Sequence, residues 1–202
     1  MKKSIFKTVS SYYSEKLLKY GATSKGVDWN DKMSHFLRFE QLDIYSNINK
    51  RFSILDYGCG FGSLIEYLND KKYDFDYFGY DISDEMVKQA RTNFPNQMFD
   101  TIIEKRKFDF VIANGIFNVK LKTKAETWKK YVFKTIDNIN KYANQGFSFN
   151  ILSSYSDEHM RSEKLFYANP LEIFDFCKKN YSRHVSLIHD YGLYEFTILV
   201  KK

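Results

Sequence analysis

The stretch Ile54-Leu55-Asp56-Tyr57-Gly58-Cys59-Gly60-Phe61-Gly62-Ser63 ends an apolar run in an acid and follows it with glycines at every second position. Without a Cβ, such a turn lets main-chain N–H groups come close to a ligand, and a helix starting behind it adds its positive end. The flanks fit this reading. Phe52 to Tyr57 has strand length, and Ser63 to Asn69 places Leu64, Ile65 and Leu68 at helical spacing. A second apolar run, Phe75 to Tyr80, ends in Asp81, where a carboxylate can accept hydrogen bonds from both hydroxyls of a ribose. Strand, glycine turn, helix, strand and acid together point to a nucleoside-bearing ligand across the tips of two strands.

Nicotinamide-binding turns space their glycines Gly-x-Gly-x-x-Gly to seat a pyrophosphate. Here the spacing is tighter. The run Asp56-x-Gly58-x-Gly60-x-Gly62, with Gly79-Tyr80-Asp81-Ile82-Ser83 after it, resembles the class I S-adenosylmethionine-dependent methyltransferases. The resemblance follows element order from 52 to 202 and is densest over 54–91. It implies an α/β fold: a Rossmann-like, seven-stranded, mostly parallel sheet with an antiparallel final strand, helices on both faces and an N-terminal helical cap. It also implies S-adenosyl-L-methionine as cofactor, held by Asp56, Tyr57, Gly58, Cys59, Gly60, Gly62, Asp81, Ile82 and Met86.

A chain of 202 residues, 44% hydrophobic and 28% charged, suits one soluble domain over 1–202, read as a helical cap (1–50) and a core (51–202). No apolar run reaches the length of a membrane span, and Met1-Lys2-Lys3-Ser4-Ile5 does not lead into a signal peptide, so a cytoplasmic location is expected. Cys59 and Cys177 are read as free thiols. His35, His159, His184 and His189 show no metal-ligand spacing, so no metal is expected. The net charge of +6 would fit nucleic acid. The lysines are scattered, however, with local clusters only at Lys71-Lys72, Lys105-Arg106-Lys107 and Lys120 to Lys124, which reads as solvated surface.

Ahead of the first strand, residues 4–20 place Ile5, Phe6, Val9, Tyr13, Leu17 and Tyr20 near one helical face that stops at Gly21. A second helix is expected over 31–49. In the cap setting Trp29, His35 and Arg38 can face the cofactor; Arg38 could fork onto its carboxylate or remain a helix-surface arginine. Ser83 caps the helix after Asp81, with Met86 facing inward. Asn96 to Phe99 reads as a short third strand followed by Asp100, the acid nearest to where the family contacts adenine.

The fourth strand, Phe108 to Ala113, runs into Asn114-Gly115-Ile116-Phe117-Asn118, which the topology places beside the reacting centre. Asn114 and Gly115 are expected to line the cofactor. Amine-methylating members of the family carry Asn/Asp-Pro-Pro-Tyr/Phe here, and this chain keeps the two ends without the prolines. Phe117 and Asn118 are therefore acceptor-binding candidates, with a plain turn and a core phenylalanine as the alternative.

A helix over 125–143 and a fifth strand, Phe147 to Leu152, precede a polar segment, 153–170, long enough for a lid. Within it His159 and Tyr155 are candidates for catalysis, and Arg161 and Tyr167 for acceptor binding, beside the reading that each is a surface residue. Pro170 starts a helix, and Val185–Tyr191 with Glu195–Val200 form a terminal hairpin.

Methyl transfer to a small polar acceptor is the expected activity. The chain also looks like methyltransferases of bacterial surface-polysaccharide loci, which favours O-methylation of a sugar or small phosphorylated precursor. N-methylation of a small amine, RNA methylation and a non-catalytic subunit serving a partner protein stand as alternatives, with an oxidoreductase disfavoured by the glycine spacing. The oligomeric state is left open.

Overall fold

The computed structural model of the protein describes residues 2–23, 26 and 32–202, with the side chains of 2–4 and 32 excepted. Trp29 lies outside the described residues. Two helices, α1 (Lys2–Tyr20) and α2 (Lys32–Leu42), precede β1 (Phe52–Tyr57), α3 (Ser63–Asp70), β2 (Phe75–Tyr80), α4 (Asp84–Asn93), β3 (Met98–Asp100) and β4 (Phe108–Ala113). Then follow α5 (Ala125–Tyr142), β5 (Ala143–Leu152), α6 (Pro170–Asn180), β6 (His184–Ile188) and β7 (Glu195–Lys201).

Among the described residues the strands form one seven-stranded sheet in the order β3-β2-β1-β4-β5-β7-β6. β1 pairs in parallel with both β2 and β4, while β7 runs antiparallel between β5 and β6. The strand order therefore reverses at β1, and the crevice beyond the carboxyl ends of β1 and β4 is where a ligand can enter. This is the Rossmann-like arrangement expected from the glycine motif.

Alternation along the strands builds a core on each face. Leu55, Tyr57, Val111, Phe147, Phe149, Ile151, Phe196 and Ile198 pack with Trp128, Val132 and Ile136 of α5 and Ile173 of α6. On the other face Phe52, Ile54, Phe110 and Ile112 pack with Phe39 and Leu42 of α2, Leu64 and Leu68 of α3, and Val87 and Ala90 of α4. Ile5 and Val9 place α1 with the α5 side. Strand residues buried on both faces explain why these runs are almost continuously apolar.

Several boundaries differ from expectation. The second helix stops at Leu42, because Asp43 turns to accept the Tyr67 and Tyr73 hydroxyls at 3.0 and 2.6 Å. That turn carries Tyr45 into the core, where its ring stacks on Phe52 at 4.9 Å. β5 begins at Ala143, directly after α5, so Gly146 lies within a strand. A Cβ at Gly146 would come within 2.6 Å of the Val200 carbonyl oxygen, so glycine there permits strand contact and does not end the helix. The third strand starts two residues later than expected, and β6 ends at Ile188.

Two caps match their sequence signals. Ser83 Oγ accepts the Met86 N–H at 3.2 Å, and Asn169 accepts those of Leu171 and Glu172 ahead of Pro170.

Gly62 precedes α3 at φ +94°, and a Cβ there would lie 2.8 Å from the Phe94 ring. Gly192 has φ +73° with open space around it. Gly62→Ala is thus expected to lower stability by about 2 kcal/mol from strain and crowding together, and Gly192→Ala by about 1 kcal/mol from strain alone. Urea denaturation of both variants checks the difference, and equal losses would contradict the packing argument.

Candidate functional site

A cleft of about 860 Å³, counting its open mouth, lies over the switch point. Its floor is the first turn and the strand ends: Asp56 to Phe61, Tyr80 to Ile82, and Asn114 to Ile116. Phe6, Val9 and Tyr13 of α1, His35 and Phe39 of α2, Met86 of α4 and Tyr131 of α5 close it from above and the sides. α1 is tied down through Ser10 Oγ, which donates to the Ile82 carbonyl at 3.2 Å, and through Ser14, whose hydroxyl lies 2.8 Å from that of Ser83.

The turn is arranged differently from the sequence expectation that its N–H groups face a ligand. The N–H groups of Gly58 and Cys59 both donate to the Tyr80 carbonyl, at 2.7 and 2.9 Å, and that of Gly62 donates to the Cys59 carbonyl at 3.0 Å. Gly60 N–H donates to Asp81 Oδ2 at 2.9 Å. The second strand therefore satisfies the first turn, and the glycines are needed for conformation and approach. At Gly58, φ is +90° and a Cβ would meet Ile116 Cγ2 at 2.3 Å, so the β1 and β4 turns touch there.

Asp81 also accepts the Ser83 N–H at 2.9 Å through Oδ1. Each carboxylate oxygen keeps capacity for a further donor. Asp56 is buried and takes the Tyr77 hydroxyl at 2.8 Å. Burial pushes the Asp56 carboxyl up to about 7, with a smaller push from nearby Asp81 and an opposing pull from the Tyr77 hydrogen bond. Asp81 is raised as well, by desolvation, and pulled back by the N–H groups of Ser83, Gly60 and Ile82.

Among the described residues no lysine or arginine lines the cleft. Two desolvated acids without a cationic partner suit a ligand that brings positive charge and hydroxyl donors. Cys59 is buried with its thiol raised well above the usual range, so it is an inert wall and not a nucleophile.

The candidates from sequence divide clearly by position. Asp56, Tyr57, Gly58, Cys59, Gly60, Asp81, Ile82, Met86, Asn114 and Gly115 line the cleft together, with His35 beside them. Gly62 stands behind the wall, against Phe94 and Phe99. Asp100 is outside, where its Oδ1 accepts the Ile102 N–H at 3.1 Å. Arg38 is corrected from a carboxylate ligand to a structural partner, since it pairs with buried Glu195 and donates to the Ser34 carbonyl at 2.8 Å.

Phe117 is corrected likewise: it is fully buried, edge-on to Phe149, and its carbonyl takes the Trp128 indole N–H at 2.7 Å. Asn118 points back to the end of β5, accepting Leu152 N–H at 3.0 Å. Arg161 braces the 153–170 segment by donating to the Ser156 and Ser154 carbonyls, and the Tyr167 hydroxyl accepts Ser162 N–H. Tyr155 is 67% exposed, and His159 is exposed on a short 3-10 turn, Glu158–Met160. None of these six lines the cleft.

Sequence reading missed the cleft roles of Tyr80, Tyr131, Phe39, Phe6, Val9 and Tyr13. The last three were legible as an apolar face on α1, without a signal that the face covers a ligand cleft and a core at once. Among the described residues no group of three or more His, Cys, Asp or Glu side chains could hold a metal ion. No described helix is long and apolar enough to cross a membrane.

An open crevice at the reversal point of a mostly parallel sheet, with a glycine turn on one side and an acid on the other, defines a nucleoside-binding α/β protein. The chain belongs to the methyltransferase domain family, whose model matches residues 12–189. It is 46% identical over 155 residues to Rv1506c of Mycobacterium tuberculosis (strain ATCC 25618 / H37Rv), whose name carries methyltransferase as a provisional assignment. That match spans 75% of this chain and 93% of the relative.

Among solved structures the fold is similar to DhpI in its complex with SAH (TM-score 0.65, 15% identity, 96% of this chain and 95% of that one). It is also similar to magnesium protoporphyrin IX methyltransferase (ChlM) from Synechocystis PCC 6803 with bound SAM (TM-score 0.59, 16% identity, 84% and 80%). At such identities the likeness is one of fold.

Asp56 supplies a pH test. Its raised value means that the neutral acid is the form the ligand-free fold accommodates, so its stabilising contribution is complete below the ordinary carboxyl range and is lost as pH rises through about 7. A cationic ligand prefers the ionised form. The affinity for S-adenosylhomocysteine, whose amino group stays protonated, is therefore expected to rise about tenfold between pH 6 and pH 8. Asp56→Asn is expected to bind more weakly with a flat profile. Calorimetry across that range checks it, and a flat wild-type profile would count against Asp56 as a ligand-facing acid.

Proposed function

We propose that the protein transfers the methyl group of S-adenosyl-L-methionine to an oxygen of a small polar acceptor. The observation that carries this reading is the pair of desolvated carboxylates, Asp56 and Asp81, in a cleft that no lysine or arginine lines among the described residues. The methyltransferase family match supplies the class of reaction. When bound, the cofactor supplies a methyl group made electrophilic by its sulfonium.

The residues of this chain bind, orient and exclude water. The free lone pairs of Asp81 suit the ribose hydroxyls, and ionised Asp56 suits the positive end of the cofactor. Phe6, Val9, Tyr13 and Phe39 keep water from the site, which strengthens both interactions. A hydroxyl acceptor must lose its proton, and His35 is the histidine that lines the cleft among the described residues, with its ring 4.7 Å from that of Phe39. We assign the base role to His35 in place of His159.

An oxygen acceptor is favoured over an amine because Phe117, the ring that an amine-methylating site would use for stacking, is in the core. A sugar hydroxyl, as in a surface-glycan building block, fits a cleft lined by carboxylates better than a phosphorylated precursor or RNA does.

Asp81→Ala and Gly60→Val are each expected to weaken S-adenosylhomocysteine binding by about 30-fold or more, through lost charge-assisted hydrogen bonds in the first and an occluded turn in the second. Wild-type affinity in both, read by calorimetry, would sink the cofactor assignment. With a metabolite pool and S-adenosylmethionine, a product heavier by one methylene is expected. His35→Gln should slow its formation by about 100-fold at unchanged cofactor affinity, whereas His159→Ala should match the wild type. The opposite ranking would return the base to the 153–170 segment.

A further inference from the structure

We propose that Asn150, on β5, is a positioning residue that turns the Asn114 amide so that the cleft offers the acceptor a hydrogen-bond donor, which selects an oxygen over an amine N–H. The inference rests on the methyl-transfer reading and adds the polarity of the acceptor subsite. Asn150 is fully buried and faces the α2 side of the sheet, between Ser148 and Leu152.

Its two polar ends are fixed by chemistry. The main-chain N–H of Gly115 can only donate, so the Asn150 atom 2.6 Å from it is Oδ1. The other end of Asn150 is therefore Nδ2, and it lies 2.8 Å from Asn114. A donor there requires an acceptor opposite, so the Asn114 atom is Oδ1. Among the described residues the Nδ2 hydrogens of Asn114 have no acceptor, on a half-buried residue that lines the cleft.

One backbone N–H thus sets the orientation of two side chains in series. A hydroxyl, alkoxide or carboxylate oxygen can accept from Asn114 Nδ2. An amine N–H would need an acceptor from the protein at this place, and the Asn114 oxygen already takes one N–H from Asn150, which leaves it a single lone pair, whereas both Nδ2 hydrogens remain for an oxygen. Phe117 in the core removes the stacking ring such an amine would use as well.

Asn150→Asp reverses the relay. The carboxylate still accepts from Gly115 but can only accept from Asn114, whose amide must then rotate and show its oxygen to the cleft. The test uses ¹⁵N-labelled protein saturated with S-adenosylhomocysteine, with the side-chain amides assigned through Asn114→Ala and Asn150→Asp. In the wild type the Asn150 amide protons are expected to exchange with solvent at least about tenfold more slowly than those of Asn114. Acetate is expected to shift the Asn114 signals, and methylammonium to leave them unmoved.

In Asn150→Asp the Gly115 N–H should stay protected, the Asn114 amide should become slow to exchange, and its response to acetate should disappear. A variant that merely loosened the fold would expose Gly115 together with its neighbours. Slow exchange of Asn114 in the wild type, silence towards acetate, a response to methylammonium alone, or an Asn114 amide unchanged by Asn150→Asp would each overturn the proposal. Failure of the wild type to bind S-adenosylhomocysteine would instead overturn the methyl-transfer reading, so the two are told apart in the same samples.

Discussion

The hydrogen bond from Gly60 N–H to the Asp81 carboxylate joins the ends of β1 and β2, and the geometry of the cleft follows from it. The glycine turn has no polar side chain that could satisfy its own N–H groups. Apart from Gly62, which bonds to the Cys59 carbonyl within the turn, it takes its acceptors from the end of the second strand and the residue after it: the Tyr80 carbonyl for Gly58 and Cys59, and the Asp81 side chain for Gly60. Asp81 must then lie over the turn, desolvated, with Ser83 N–H on its other oxygen. One carboxylate thereby shapes the floor and faces the cleft, which ties folding of the turn to the chemistry of the cleft.

Such an arrangement has an electrostatic cost. Asp81 is near enough to push the Asp56 carboxyl up further, and among the described residues no lysine or arginine in the cleft offsets the two acids. The ligand-free protein is least comfortable when both acids are ionised. A cationic, hydroxyl-rich ligand would relieve this repulsion on binding, so the two acids suit such a molecule. The high pI of 9.0 does not bear on this balance, since the lysines with described side chains lie outside the cleft.

The fold was legible because its signals are local. Strand length, the glycine turn, Asp81, the Ser83 cap and Pro170 each speak for themselves within a few residues, and together they specify alternation of strand and helix. What could not be read depends on contacts distant in sequence. Arg38 meets Glu195 across most of the chain, and neither residue signals the other; a helix arginine in isolation suits a ligand carboxylate equally well. Phe117 has the composition of an acceptor contact, but its position after the β4 turn, opposite Phe149 and under Trp128, makes it core. The polar residues of 153–170 suggested a lid, and the structure spends several of them on bracing that segment internally through Arg161, Tyr167 and Ser156.

The clearest signal left unused was the pattern of β5. Phe147, Phe149 and Ile151 occupy one face, and Ser148 and Asn150 interrupt an otherwise apolar strand on the other. A strand in the middle of a doubly covered sheet has no solvent-facing side, so each polar residue must find a partner inside the protein. Ser148 finds the Leu42 carbonyl at the end of α2, at 2.6 Å. Asn150 finds the turn after β4. Thr197 and Glu195 continue the same face on β7, and Glu195 meets Arg38 of α2. This polar seam gives α2 a fixed seat at the edge of the cleft, which an apolar face alone would leave free to slide. The same α2 presents His35 and Phe39 to the cleft, so polar residues far from the glycine motif determine where those two side chains stand.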